Sequence, residues 1–269
     1  MGKSVRPLRD GEDWTREEAI LAFDLYCRIP FKRTKSNNPE VIALAQILQR
    51  TPASVARKLG NFGAFDPNLA KQDITGLTHT SKLDKAIWQE FNSNWSDRVI
   101  EADRIRSARA VKSCSTAWKQ IDYEYLGPTE REIKSKQRIY QDFFRASVLS
   151  GYNQRCCICG IPHPEILTAC HIVPWSIRED TRVNPENGLC LCASHDRAFD
   201  RELIAIAPDY SVILCKRVKK SDDAASKFLF SGIEGKRITL PDRFAPRRDF
   251  LNWRLDEFLK SESALDHTL

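Results

Sequence analysis

Two short pairs of soft donors constrain this chain more than any other feature: Cys156 and Cys159, spaced Cys-x-x-Cys and followed by Gly160, and Cys192 and His195, spaced Cys-x-x-His. Each pair can turn two side chains toward one point. Three sulfurs and one imidazole gathered in this way make the donor set of a closed tetrahedral structural zinc site. The stretch from Tyr152 to Ile206 holds six of the nine cysteines and three of the five histidines. Cys157, Cys170 and Cys190 are therefore alternative ligands, and Cys156, Cys159, Cys190 and Cys192 form a rival set that would release His195 to bind a different cation. The first ten residues, Met1 to Asp10, lack the apolar core of a signal peptide, and no apolar run reaches membrane-spanning length. A cytosolic chain with no membrane partner is expected, and in a reducing compartment its cysteines point to metal rather than to disulfides.

Between and after the two pairs lie Cys170-His171-Ile172-Val173-Pro174-Trp175, then Asn187-Gly188-Leu189-Cys190-Leu191-Cys192, then His195-Asp196-Arg197-Ala198-Phe199-Asp200. Ile166 to Val173 is β-branched and apolar and reads as a strand that ends where Pro174 cannot continue a ladder. His171 then stands at the strand end. Gly188 to Cys192 reads as a return strand and Ala193 to Glu202 as a short helix, with Asp196 and Asp200 one turn apart on one face. Two carboxylates on one face suit a hard divalent cation, magnesium or manganese.

This order of motifs, from about Phe143 to Ile206, resembles the HNH nucleases of the ββα-metal fold, and among them the bacterial restriction-type proteins. The resemblance implies a phosphodiester hydrolase acting on double-stranded DNA. Such a reaction needs an activated water and a cation that stabilises both the phosphorane-like transition state and the leaving 3′ oxygen. His171, whose ordinary pKa lies near working pH, fits the base. Asp196 and Asp200 fit the cation. From the family, Asn187 takes the role of bracing the loop that orients the base. Many relatives carry Asp or His just before the base, where this chain has Cys170, and a thiol is a poor magnesium ligand. In this alignment Asp196 takes the helical metal position, which leaves His195 to the zinc set.

The N-terminal part reads as helical. Thr15 and Glu18 form a capping box ahead of an apolar face made by Ala19, Leu21, Ala22, Leu25 and Tyr26, and Pro30 stops the run. A second helix is expected over Glu40 to Gln49 and a third over Ala53 to Leu59, with Pro52 in its first turn. Three short helices with a tight turn before the third, together with Trp-Thr-x-Glu-Glu and Leu-Ala-x-x-Leu-x-Arg-Thr-Pro-x-Ser-Val, resemble Myb and homeodomain-like trihelical modules. That resemblance places Ser54, Arg57 and Lys58 on a DNA recognition helix. A protein-interaction module is the other reading. The net charge of +6 permits a nucleic-acid partner without demanding one. Phe62, Phe65, Trp88, Phe91 and Trp95 read as core.

Residues 98–140 read as a connector, helical from Asp97 to Val111 and irregular through Gly127 and Pro128, before a basic helix bearing Arg131, Lys134, Lys136, Arg138 and Arg145. Beyond Ile206, a hairpin turn at Asp209-Tyr210 leads to a strand over Ser211 to Val218, and Phe250, Leu251, Trp253, Leu255 and Phe258 mark a closing amphipathic segment. The expected fold class is α+β: an all-α, helix-turn-helix-like domain over 1–97, and a ββα-metal domain with a structural zinc site and a C-terminal extension over 141–269. The expected function is restriction cleavage by a homodimer, since one such site cuts one strand, at target sites with plain or modified bases. A zinc-stabilised DNA-binding regulator without catalysis is the competing reading. No Gly-rich phosphate loop or serine elbow supports nucleotide hydrolysis or acyl transfer.

Overall fold

The computed structural model describes residues 9, 11–72, 81–113 and 128–266. His79, His267 and the irregular stretch of the expected connector, residues 114–127, lie outside them. The chain divides into two compact units, Met1–Ser150 and Gly151–Leu269.

The first unit is helical. Helix α1, Arg16–Arg28, begins with the expected capping box, in which the Glu18 amide donates to Thr15 Oγ1 and the Thr15 amide donates to Glu18 Oε2 at 2.9 Å. Helix α2, Pro39–Leu48, is capped by Asn38 and ends with Gln49 in the left-handed region at φ 55°, and α3, Pro52–Gly63, follows at once with Thr51 as cap. Proline at the first helical position of α2 and α3 forfeits only an amide that has no helical partner there. A short α4, Pro67–Ala70, leads to α5, Lys82–Ser93, and α6, Trp95–Ser113; the last helix, α7, is Pro128–Gly151.

The core of this unit forms around Phe23 of α1, whose ring meets Phe91 at 4.5 Å, Phe62 at 5.0 Å, Trp88 at 5.5 Å and Trp95 at 6.1 Å between centroids. Such edge and tilted pairs are favoured by the aromatic quadrupole; of the expected aromatic set, Phe62, Phe91 and Trp95 are buried in the core, and Phe65 and Trp88 are half-buried at its edge. The expected connector differs from what is found. Helix α6 packs on α1, burying Val99 and Ala102, and Arg16 bridges Glu90 of α5 to Glu101 of α6. On α7, Phe143 stacks near Trp95 at 5.9 Å, and Ser150 Oγ donates to the Cys27 carbonyl at 2.7 Å. The described parts of residues 98–140 therefore fall in the first compact unit, where Val99 and Ala102 of α6 are buried.

In the second unit, β1, Leu167–His171, pairs antiparallel with β2, Gly188–Cys192, so that Leu167 faces Cys192 and His171 faces Gly188. Helix α8, Ala193–Asp200, follows β2 without a break and completes a ββα unit. A second hairpin joins β3, Ile204–Ile206, to β4, Val212–Leu214, through a turn closed by Tyr210 at φ 71°. Beyond it come α9, Lys216–Lys219, α10, Ala224–Phe230, and α11, Arg248–Asp266. The strand expected over 211–218 is thus cut short, since Lys216 to Lys219 turn into helix once Cys215 has been buried. Phe258 of α11 packs with Ala205 and Cys215, so the closing helix covers the second hairpin.

Candidate active site and metal centre

The ligand atoms of Cys156, Cys159, Cys192 and His195 all lie within 4.8 Å of one another. Gly160, at φ +74°, closes the first knuckle by donating its amide to the Cys156 carbonyl at 2.8 Å, a backbone turn that a side chain would strain. The second knuckle is the turn from β2 into α8. His195 Nδ1 stands 3.2 Å from Cys192 Sγ and 3.6 Å from Cys156 Sγ, and the Cys159 and Cys192 sulfurs are 3.9 Å apart. Zinc bonds of about 2.3 Å to sulfur and about 2.0 Å to nitrogen put neighbouring ligand atoms of a tetrahedron roughly 3.5–3.8 Å apart, so the quartet fits the ion. The sulfur separation is far beyond the roughly 2.05 Å of a disulfide.

The protonation chemistry of the quartet points the same way. Burial opposes the Cys156 thiolate, yet hydrogen bonds from His195 and from backbone amides bring its pKa down to about 6. Cys159 is pushed up to about 12, by burial first and by the neighbouring sulfurs next. One proton leaves readily and the next is resisted by the charge beside it. A dication relieves that resistance. His195 Nε2 is buried without a hydrogen-bond partner among the described residues, so the ring's directed contacts are those Nδ1 makes with sulfur. Cys190 and Cys157 lie outside the quartet: Cys190 is buried in the core, and the Cys157 amide donates to the Cys190 carbonyl at 2.8 Å.

His171 closes β1. Its Nε2 is 2.9 Å from the Arg182 carbonyl, which can only accept, so Nε2 carries the proton and Nδ1 the lone pair. The ring meets Trp175 edge-on at 5.8 Å. Burial lowers the His171 pKa, only partly offset by the bond to Arg182, which keeps the ring neutral at neutral pH. Fully buried Asn187 ties both ends of the intervening loop together. Its Nδ2 donates to the Val173 carbonyl at 3.0 Å and the Thr181 carbonyl at 3.3 Å, and its Oδ1 accepts from the Val173 amide at 2.8 Å. The Ile172 amide also donates to the Asn187 carbonyl at 2.9 Å.

Asp196 is half-buried, and burial raises its pKa, opposed by the neighbouring Cys170 thiol and reinforced by the charge of Asp200. Burial, and then Asp196, hold the Cys170 thiol well above its ordinary value, so it stays protonated, and its Sγ donates to the His171 carbonyl at 3.7 Å. Asp200 is exposed and faces Arg197 at 3.3 Å and Arg201 at 3.9 Å. Arg254 of α11 is a participant that the sequence did not signal. Buried, with its guanidinium 4.9 Å from the Phe199 ring centroid, it donates to the Phe199 carbonyl at 2.7 Å, and so holds the C-terminal end of the helix that carries both aspartates. Arg182 and Trp175 were also missed; what binds them to the site is a backbone carbonyl and a ring edge, which leave no residue-type signature.

In the first unit, Arg57 of α3 is exposed and Ser54 partly so, with the Ser54 amide donating to Thr51 Oγ1 at 3.1 Å. Lys58 differs from expectation. It is buried in an ion pair with Asp84 at 2.7 Å and lies over the Trp14 ring at 4.8 Å, so it is a structural cation with no reach to DNA.

A two-stranded antiparallel hairpin, a following helix, a histidine at the strand end and a knuckled Cys/His quartet together define a ββα-metal type of domain. Residues 156–207 match the family described as HNH endonuclease, so the chain carries an HNH domain and with it the signature of a nuclease. No curated protein matches the chain. No helix among the described residues is long and apolar enough to cross a membrane.

Proposed function

We propose that this chain is a metal-dependent DNA endonuclease of the restriction type, with His171 as general base. The observation that carries the reading is the bond from His171 Nε2 to the Arg182 carbonyl, since it dedicates Nδ1 to accepting a proton. In the reaction, Nδ1 takes a proton from a water that attacks phosphorus. Asn187 keeps the base in line by holding the loop from Val173 to Thr181. Asp196 and Asp200 would hold magnesium or manganese, which supplies positive charge to the transition state and to the leaving 3′ oxygen. Cys170, a protonated thiol that donates to the His171 carbonyl, is a poor magnesium ligand and contributes no metal bond. Arg254 keeps the carboxylate-bearing helix in place. Cys156, Cys159, Cys192 and His195 would hold a separate structural zinc.

An HNH core grips phosphates, so base selectivity must come from elsewhere in the chain. We assign it to the first unit, where α3 follows α2 across the short Gln49–Thr51 turn and would enter the major groove with Arg57 and Ser54 forward. A double-strand break needs two sites, which a homodimer on a palindrome supplies. A plasmid-nicking assay with magnesium or manganese, and again with EDTA, tests the proposal. Nicking that EDTA abolishes is expected. Tight DNA binding without cleavage under any divalent cation would overturn it in favour of a zinc-stabilised regulator.

A further inference from the structure

The C-terminal extension between β4 and α11 plays no part in the chemistry above, yet it carries the most exposed large apolar side chain among the described residues, Phe228, at 87%. It sits on α10, whose N-terminus is fixed by Asp223, with the Asp223 carboxylate accepting from the Ser226 amide at 2.8 Å, while Phe230 on the same helix is buried. One turn back from Phe228 the helix carries only Ala224 and Ala225, both exposed, so no neighbouring side chain shields the ring. Helix α10 therefore presents an aromatic ring to solvent.

The segment that carries the ring is cationic. Lys216, Arg217, Lys219 and Lys220 of the α9 region, Lys227 of α10, and Lys236 and Arg237 beyond it are all exposed. The acidic groups of this segment are engaged internally: Glu234 pairs with Lys219 at 2.7 Å, Asp222 with Lys227 at 3.3 Å, and Asp223 caps α10. The first pair ties α9 to the turn after α10, the second ties the linker to α10, and only Lys220 to Asp223 separate the two helices. Arg217 and Lys220 have no ion-pair partner among the described residues, which leaves their charge to an outside anion. An apolar ring on a segment that also carries unneutralised arginine and lysine is complementary to stacked bases flanked by phosphates, whereas a protein partner for Phe228 alone would gain nothing from the charge.

We propose that α9 and α10 form a second DNA-contacting surface, with Phe228 wedged at a base step of the duplex and Arg217 and Lys220 on the adjoining phosphates. This rests on the nuclease reading, because it takes the duplex to be the substrate. Partial unstacking by an inserted ring kinks DNA, and a kink here would bend the duplex around the HNH unit.

The test uses the full chain with His171→Ala, so that DNA is bound and not cut, and a duplex carrying 2-aminopurine at successive steps. Phe228→Ala should weaken binding roughly tenfold and remove the rise in 2-aminopurine fluorescence. Arg217→Ala with Lys220→Ala should flatten the dependence of log affinity on log salt by about two. Phe228→Leu, which keeps an apolar wedge, should retain most of the affinity. Equal affinity, fluorescence and salt slope in all variants would overturn the inference while leaving the nuclease reading standing. A change in sedimentation of Phe228→Ala without a change in DNA binding would also overturn it, by showing the ring to be a protein contact. Failure of the parent to bind DNA at all would instead sink the nuclease reading.

Discussion

In the quartet of Cys156, Cys159, Cys192 and His195, every ligand atom lies within 4.8 Å of the others and three of the four side chains are buried. On α8 the acidic groups are arranged differently: Asp196 is half-buried near Cys170, and Asp200 is exposed and turned to Arg197 and Arg201. A closed set of soft donors holds an ion for the sake of the fold. An open set of hard donors leaves room for substrate oxygens and water beside the ion. The two differ in burial and donor chemistry although Cys192, His195, Asp196 and Asp200 lie within nine consecutive residues, from the end of β2 through α8.

The largest effect that would break this contrast lies at the quartet. Cys192→Ala should abolish zinc content and leave the second unit unfolded, because structural zinc contributes roughly 10–16 kcal/mol of folding free energy, as much as a whole domain's net stability of about 5–15 kcal/mol. Elemental analysis and amide exchange across 151–269 check this. A folded, zinc-free variant would show that the quartet is only a cluster of thiols.

Asn187→Ala comes next. It removes a side chain that makes three buried hydrogen bonds and leaves the Val173 amide and the Val173 and Thr181 carbonyls short of partners, so a loss of about 2–4 kcal/mol is expected in denaturant unfolding. Zinc should remain bound. The aspartates sharpen the contrast from the open side: Asp196→Asn should lower cleavage roughly 100-fold and Asp200→Asn roughly tenfold, with stability nearly unchanged. Equal losses at both positions would mean that Asp200 leaves its arginines and holds the cation as firmly as Asp196.

The smallest effect is in pH. Burial lowers the His171 pKa, and the base must be neutral to accept a proton. Activity should therefore persist at the ordinary histidine value of about 6.5 and fall only as the pH drops below it through the depressed pKa. A kcat/KM profile measured with manganese held saturating reads this limb, and a midpoint above 6.5 would contradict the lowered pKa.

What was legible in the sequence was whatever depended on short spacing. The Thr15 capping box, Pro52 in the first turn of α3, the strand Gly188–Cys192 and the choice of His195 over Cys190 all rest on neighbours within a few residues. What was not legible depended on distant partners. Lys58 reads as a recognition-helix cation until Asp84, on another helix, is placed 2.7 Å away. Arg254, 55 residues beyond Phe199, gives no sign in the sequence that it will hold the end of α8. The connector expected over 98–140 differs for the same reason, since Val99 and Ala102 are buried on a helix that packs against α1 and α5 and not along its own stretch.

The central claim is that a tautomer-locked His171 activates the attacking water. Single-turnover cleavage of plasmid DNA by the wild type and by His171→Ala, with folding and zinc content shown to be equal, tests it most directly. The account predicts a loss of roughly 10²–10⁴-fold or more in the cleavage rate with DNA affinity unchanged. Cleavage by His171→Ala at the wild-type rate would contradict it.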